Sequence, residues 1–203
     1  MTDVAPAPVP HWRNWAGNEQ AVPQAVESPQ TAADVVACIT RARETGGTVK
    51  MMGSGHSFPA ISAPEGTMLQ ADQMRGVLAH DEEAMTVTAA AGTHLKTLNL
   101  TLEQMGLSLH NMGDIAEQTL AGAVSTGTHG SGGTAAGLAA QLAGFQIVTG
   151  TGEVLDASPT QDTEVFDLGR VGLGALGILT QITFNVEPAF LLQAEERPMT
   201  WSE

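Results

Sequence analysis

Two stretches of glycine and small residues, GSGHSFP at 53–59 and GDIAEQTLAGAVSTGTHGSGG at 113–133, constrain this 203-residue chain more than any other feature. Each holds one histidine, His56 or His129, and neither has the charge or proline content of a solvated linker. Segments of this kind read as places where backbone comes close to a partner, because glycine removes the side chain that would keep it away. Charge sharpens the reading. The chain carries 22 Asp and Glu against 8 Lys and Arg, a formal net charge of −14, and its only lysines are Lys50 and Lys96. Nucleic acid and anionic lipid are normally met by a basic stripe, which is missing here, so neither is expected as a partner. If the glycine loops hold an anion, backbone N–H groups and helix ends must do most of the holding, with no part expected for lysine.

Between the loops the pattern is mixed. An edge strand is expected over 21–27, interrupted by Pro23, which is tolerated where its missing N–H would face outward. Thr31 with Asp34 three positions on forms a capping-box signal for a helix whose buried face is Val35, Cys38, Ile39 and Ala42 and whose stop is Gly46-Gly47. A strand over 48–52 then runs straight into the first glycine loop. Further strands are expected over 67–72, 76–81 and 85–91. Thr93 is expected to cap a second helix with a stripe of Leu95, Leu98, Leu102 and Met105, stopped at Gly106. Strands at 144–149 and 153–157 joined by a tight Gly150-Thr151-Gly152 turn, a short helix from about Thr163, and a strand over 178–186 complete the order. The fold class is α+β. The organisation expected is a leader over 1–18, a βαβ lobe over 19–75, a second lobe over 76–190, and over 191–203 the start of a connection to a further domain.

Several motifs lead nowhere. GLGALG at 172–177 has dinucleotide-fingerprint spacing but opens a β-rich segment, where that fingerprint must open a helix. GTHGSGGT at 127–134 has nucleoside-triphosphate loop spacing with Gly133 in place of the lysine, so an NTPase is not expected. GHSFP at 55–59 carries proline where a nucleophile elbow needs glycine, and the six histidines show no metal-ligand spacing, so no metal is expected. The chain has no run of about 18 apolar residues and hence no integral membrane segment. The opening MTDVAPAPVP lacks the basic start and apolar core of a secretory signal, and the single cysteine, Cys38, sits in a helical run as an inert thiol. Cytoplasmic residence is the expectation.

GSGHSF after a βαβ start, then NMGDIAEQTLAGAVSTGTHGSG, then GLGALGILTQITF, in that order and with the leader HWRNWAGN, resembles the two-lobed FAD-binding domain of the vanillyl-alcohol oxidase and p-cresol methylhydroxylase type. More narrowly the chain is similar to the sugar-1,4-lactone oxidase group, which includes L-gulonolactone and D-arabinonolactone oxidases, with alditol oxidases next. The resemblance implies FAD bound covalently through His56 at the flavin 8α-methyl carbon. It implies cofactor contacts from Met52, Gly53, Ser54, Gly55, His56 and Ser57 in the first loop, from Asp114, Thr119, Gly122, Ala123 and Ser125 in the second, and from Gly177 and Ile178 on the adenine side. Gly113 falls where relatives vary between glycine and alanine, a position that would gate oxygen; a turn role is the alternative. His129 is expected to orient its loop by a hydrogen bond. A sugar lactone or polyol is the implied substrate, with oxygen or another electron acceptor as second partner. Catalytic residues are not assigned, because the family places most substrate-side groups in a domain that follows this one. A flavin-binding module without catalysis, or an alditol oxidase-like enzyme, stays open.

Overall fold

Local signals settle most of the elements in the computed structural model, which describes residues 11–132 and 134–200. The Ala/Pro opening over 1–10, Gly133 and the final residues Trp201, Ser202 and Glu203 lie outside the described residues. Strand β1 (Trp12–Arg13) pairs antiparallel with β2 (Gln20–Ala21), and β3 (Ala25–Glu27) begins a separate sheet. The single strand expected over 21–27 is thus two strands. Pro23 lies in the break, where its lack of an N–H leaves no ladder bond to lose.

Helix α1 (Ala32–Glu44) follows with the expected capping box: the Thr31 hydroxyl accepts from the Asp34 amide, and the Asp34 carboxylate accepts from the Thr31 amide at 2.9 Å. Donation from the Gln30 amide, and then from the Thr31 hydroxyl and amide, holds the Asp34 carboxyl below the ordinary carboxylate range. Gly46, at φ +68°, ends the helix in the left-handed conformation that favours glycine. Strand β4 (Val49–Met52) and strand β5 (Thr67–Gln70) complete a three-stranded parallel sheet in the order β3-β5-β4. The strand expected to reach residue 72 stops at Gln70, because Ala71–Gln73 turns into a 3-10 helix.

The rest of the chain builds a five-stranded antiparallel sheet from β6 (Val77–Asp81), β7 (Thr86–Ala90), then, beyond α2 (Leu95–Gln104), the two-residue β8 (Leu107–Ser108) and α3 (Leu120–Ser125), from β9 (Leu142–Thr149), β10 (Val154–Ala157) and, after α4 (Thr163–Gly169), β11 (Gly177–Asn185). The order is β10-β9-β11-β7-β6, and the last short strand, β12 (Glu187–Pro188), returns to pair with β8. The last long strand is therefore the central one. The Thr88 and Thr183 hydroxyls pair at 2.8 Å across the β7–β11 seam. The turn at 150–152 is tight as expected, with the Gly152 amide donating to Thr149.

Thr93 does not cap α2. The N-cap is His94, with no side-chain cap bond. The Thr93 hydroxyl instead donates to the Ala90 carbonyl at 2.6 Å and accepts from the Gly76 amide at 2.9 Å, tying the end of β7 to the turn before β6. A buried hydroxyl both donates and accepts, and here Ala90 and Gly76 use both capacities. Below it Leu95, Leu98 and Leu102 are all but fully buried, each stabilising the fold by about 1.5–3 kcal/mol.

Two apolar clusters result. One lies between the antiparallel sheet, α2 and α3. The other joins Val35, Cys38 and Ile39 of α1 to Leu69 and Met74 and to Ala90, Val148 and Ile178 of the antiparallel sheet. Burial, and then the neighbouring Glu27 carboxylate, push the Cys38 thiol up to about 11, so the thiol is inert at neutral pH. Among the described residues no helix is long and apolar enough to cross a membrane, and no group of three or more His, Cys, Asp or Glu is placed to hold a metal ion.

Candidate functional site

Strand β4 ends at Met52 and delivers the chain into the first glycine loop with little room to spare. A Cβ on Gly53 would lie 2.2 Å from the Thr119 hydroxyl oxygen, so only glycine lets the two glycine-rich segments meet here. Gly55 needs its residue type for a different reason, its φ of +70°. The carbonyls beyond it are held by the 12–18 segment. Trp15 N–H donates to Gly55 at 2.9 Å, Asn14 Nδ2 to Ser57 at 2.9 Å, and Asn18 Nδ2 to Phe58 at 2.9 Å. Asn14 is buried and also accepts from the Glu19 amide. With the carbonyls taken, the amides of Ser54, Gly55, His56 and Ser57 donate to no protein group among the described residues. A run of free amides at the end of a parallel strand is an anion cradle. The His56 ring is half-buried on the wall of the adjoining cleft, stacked on Trp15 with centroids 5.2 Å apart and planes at 17°, and Phe58 stands edge-on to Trp15.

The second segment forms the opposite wall by different means. Thr119 caps α3, its hydroxyl accepting from the Gly122 amide at 3.3 Å. Leu120 N–H donates to Thr93, Ala121 N–H to Ala91, and Ala123 N–H to Thr119. The first amides of this helix are therefore consumed by the protein, so of the backbone donors expected to hold an anion this helix end supplies none. Thr119, Gly122 and Ser125 line the cleft. Ala123 points into the core at 0% exposure, while Gly113 and the exposed Asp114 lie off the lining. Gly113 packs close to the His129 carbonyl, and the His129 ring bonds the adjacent Gly130 carbonyl at 2.9 Å.

The third wall comes from the start of β11. Gly177 and Ile178 line it, and a Cβ on Gly177 would lie 2.3 Å from the Val148 carbonyl. The structure thus brings together Met52, Gly53, Ser54, Gly55, His56, Ser57, Thr119, Gly122, Ser125, Gly177 and Ile178 around one cleft, with about 1150 Å³ of empty space including its open mouth. Sequence reasoning missed Gly92, whose added Cβ would meet the Ala71 carbonyl at 2.0 Å, although the small-residue run Ala90-Ala91-Gly92 after a strand could have marked it. It also set lysine aside, yet Lys50 lines the cleft with its ammonium bonded to the Ile61 carbonyl. No local signal marks that position.

A deep cleft walled by three close-packed glycines, with free amides at one loop and one lysine at its side, fits a large ligand with an anionic middle. The comparisons agree. Residues 23–158 match the family described as FAD binding domain, and the chain belongs to that family. Among known proteins it is similar to L-gulono-1,4-lactone dehydrogenase of Mycobacterium tuberculosis H37Rv, 36% identical over 188 residues, covering 93% of this chain and 43% of that protein. It is similar also to D-arabinono-1,4-lactone oxidase of Eremothecium gossypii, 35% identical over 189 residues, 91% of this chain and 36% of the relative. L-gulonolactone oxidase of Bos taurus is 33% identical over 192 residues, 95% and 44% of the two chains. This chain spans less than half the length of these curated relatives.

Proposed function

We propose that this chain is the FAD-binding part of a sugar-1,4-lactone oxidoreductase, with FAD attached covalently through the His56 imidazole. The observation that carries the reading is the first glycine loop: four successive free amides for the pyrophosphate beside a half-buried imidazole on the cleft wall. Met52, Gly53, Ser54, Gly55 and Ser57 would hold the pyrophosphate and ribityl region. Thr119, Gly122 and Ser125 would form the facing wall, and Gly177 with Ile178 the adenine end. Ala123 and Asp114 would act through the backbone course of the second loop rather than by lining the cleft. The Trp15 stack fixes the plane of the His56 ring before the cofactor arrives, which favours a reactive geometry.

Bound flavin supplies an acceptor for a hydride from a carbinol C–H of the lactone, with oxygen or another acceptor taking the electrons afterwards. Gly113 would leave the path to oxygen open. The parallel sheet over 25–70 and the antiparallel sheet over 77–185 correspond in this reading to two lobes dividing near residue 75, with the cofactor between them. Residence in the cytoplasm goes with a single, buried, unpaired cysteine.

Intact mass after acid denaturation tests the reading on wild type and His56→Ala. An FAD-sized increment in wild type alone is expected. No increment in wild type removes the covalent attachment, and a protein that stays colourless after incubation with FAD removes the function.

A further inference from the structure

We propose that the turn at 172–175 is a clip on the cofactor: Leu173, held in a strained left-handed backbone beside the cleft, covers one face of the adenine ring when the dinucleotide binds. The proposal rests on the function above for the identity of its ligand, and it concerns a residue to which that function gives no part.

The run GLGALG at 172–177 is shaped by its backbone. The Ala175 amide donates to the Gly172 carbonyl at 2.8 Å, closing a turn whose two central residues, Leu173 and Gly174, both have positive φ, +52° and +77°. That is the arrangement of a type I′ turn, where asparagine, aspartate or glycine is the ordinary choice at the first central position. Gly174 meets the requirement. Leu173 does not, because an L residue without a short polar side chain is strained in the left-handed region. The Leu173 amide also donates to the Ser125 carbonyl at 3.2 Å, which ties the turn to the end of α3.

Packing within the chain does little to offset that strain, since Leu173 stays 53% exposed whereas Leu95 and Leu98 of α2 are fully buried. What Leu173 faces is the cleft: it lines it four residues ahead of Gly177, on the chain entering the third wall. Strain held at a ligand cleft is a pointer to function. Leucine offers a flat ring dispersion and surface burial but no hydrogen bond. In the function proposed above, His56 and the amides of 54–57 take the flavin and the pyrophosphate, so the flat ring left for Leu173 is the purine.

The test is calorimetric titration of protein prepared without flavin, using ADP, which carries the purine and the pyrophosphate, and inorganic pyrophosphate, with thermal melts of the same samples. In Leu173→Asn, whose side chain tolerates the left-handed backbone, ADP should bind about fivefold more weakly, the loss of a half-covered leucine contact. Pyrophosphate affinity should be unchanged, and the melting temperature without ligand should rise by about 2–4 °C. Leu173→Met keeps an apolar cover and should hold ADP within about twofold of wild type. Stability and affinity thus move in opposite directions, whereas a leucine serving the fold alone would lower the melting temperature and leave ADP untouched. Unchanged ADP affinity in Leu173→Asn, an equal loss for pyrophosphate, a fall in its melting temperature, loss of ADP in Leu173→Met, or no saturable ADP binding by wild type that takes up FAD would each overturn the proposal. Wild type that takes up no FAD overturns the function on which it rests, and the proposal with it.

Discussion

The two segments, both rich in glycine and small residues, do opposite things with their amides. In the first, carbonyls are bound by Asn14, Trp15 and Asn18 while the amides of 54–57 remain free. In the second, the amides that open α3 are spent on Thr93, Ala91 and Thr119. One loop is a donor surface and the other a close-fitting wall. The lesson is that glycine content marks where backbone approaches something, whereas the hydrogen-bond partners of the flanking segments decide whether it approaches a ligand or the protein itself.

The largest effect should come from Gly53. In Gly53→Ala the new Cβ meets a threonine that is buried and fixed by its cap. We expect FAD affinity to fall at least 100-fold by fluorescence titration. Gly122→Ala puts a Cβ only 3.1 Å from the same oxygen, inside a helix, where alanine gains up to about 1 kcal/mol over glycine; its affinity should change less than fivefold. The reverse ranking would break the contrast between the loops.

Asn14→Ala comes next. It removes the buried amide that holds the Ser57 carbonyl and the Glu19 amide, at a cost of about 1–3 kcal/mol. FAD should bind about tenfold more weakly. Were the 12–18 segment only a leader, neither melting temperature nor affinity would move.

Thr119→Val should leave the first loop's donors intact and remove only the cap of α3, costing about 1 kcal/mol, read from the urea midpoint of the apo-protein. The smallest effect concerns Cys38, remote from both loops. Its pKa is raised from 9.0 to about 11 by burial, so the folded state holds the proton more tightly than the unfolded chain. That contribution is complete below about pH 9 and disappears as pH rises toward 11. Stability measured across this window should decline more in wild type than in Cys38→Ala.

The contrast also shows what a sequence can carry. The capping box at Thr31, the leucine stripe of α2 and the positive φ at Gly55 follow from residues within a few positions of one another, and such short-range geometry is written in local order. The clamp on the first loop is not. Asn14 reaches Ser57 across 43 positions and Asn18 reaches Phe58 across 40, so the residues that aim the amides look like part of a leader. Thr93 fails as a cap for a related reason, since Gly76, 17 positions away, reaches its hydroxyl through sheet packing while the hydroxyl also bonds the nearby Ala90 carbonyl. His94, sitting at that N-cap, shows nothing in its neighbours to mark the carbonyl of Glu117 as its partner.

The central place of β11 sets an order of assembly. During synthesis β7 and β9 emerge first but have no common neighbour until the segment carrying Gly177 and Ile178 is made, and the hydroxyl pair across that seam joins residues 95 positions apart. Ribosome-bound chains ending before residue 177 would leave β7 and β9 without the strand that joins them, so the cleft that Gly177 and Ile178 line is completed only once that segment is made.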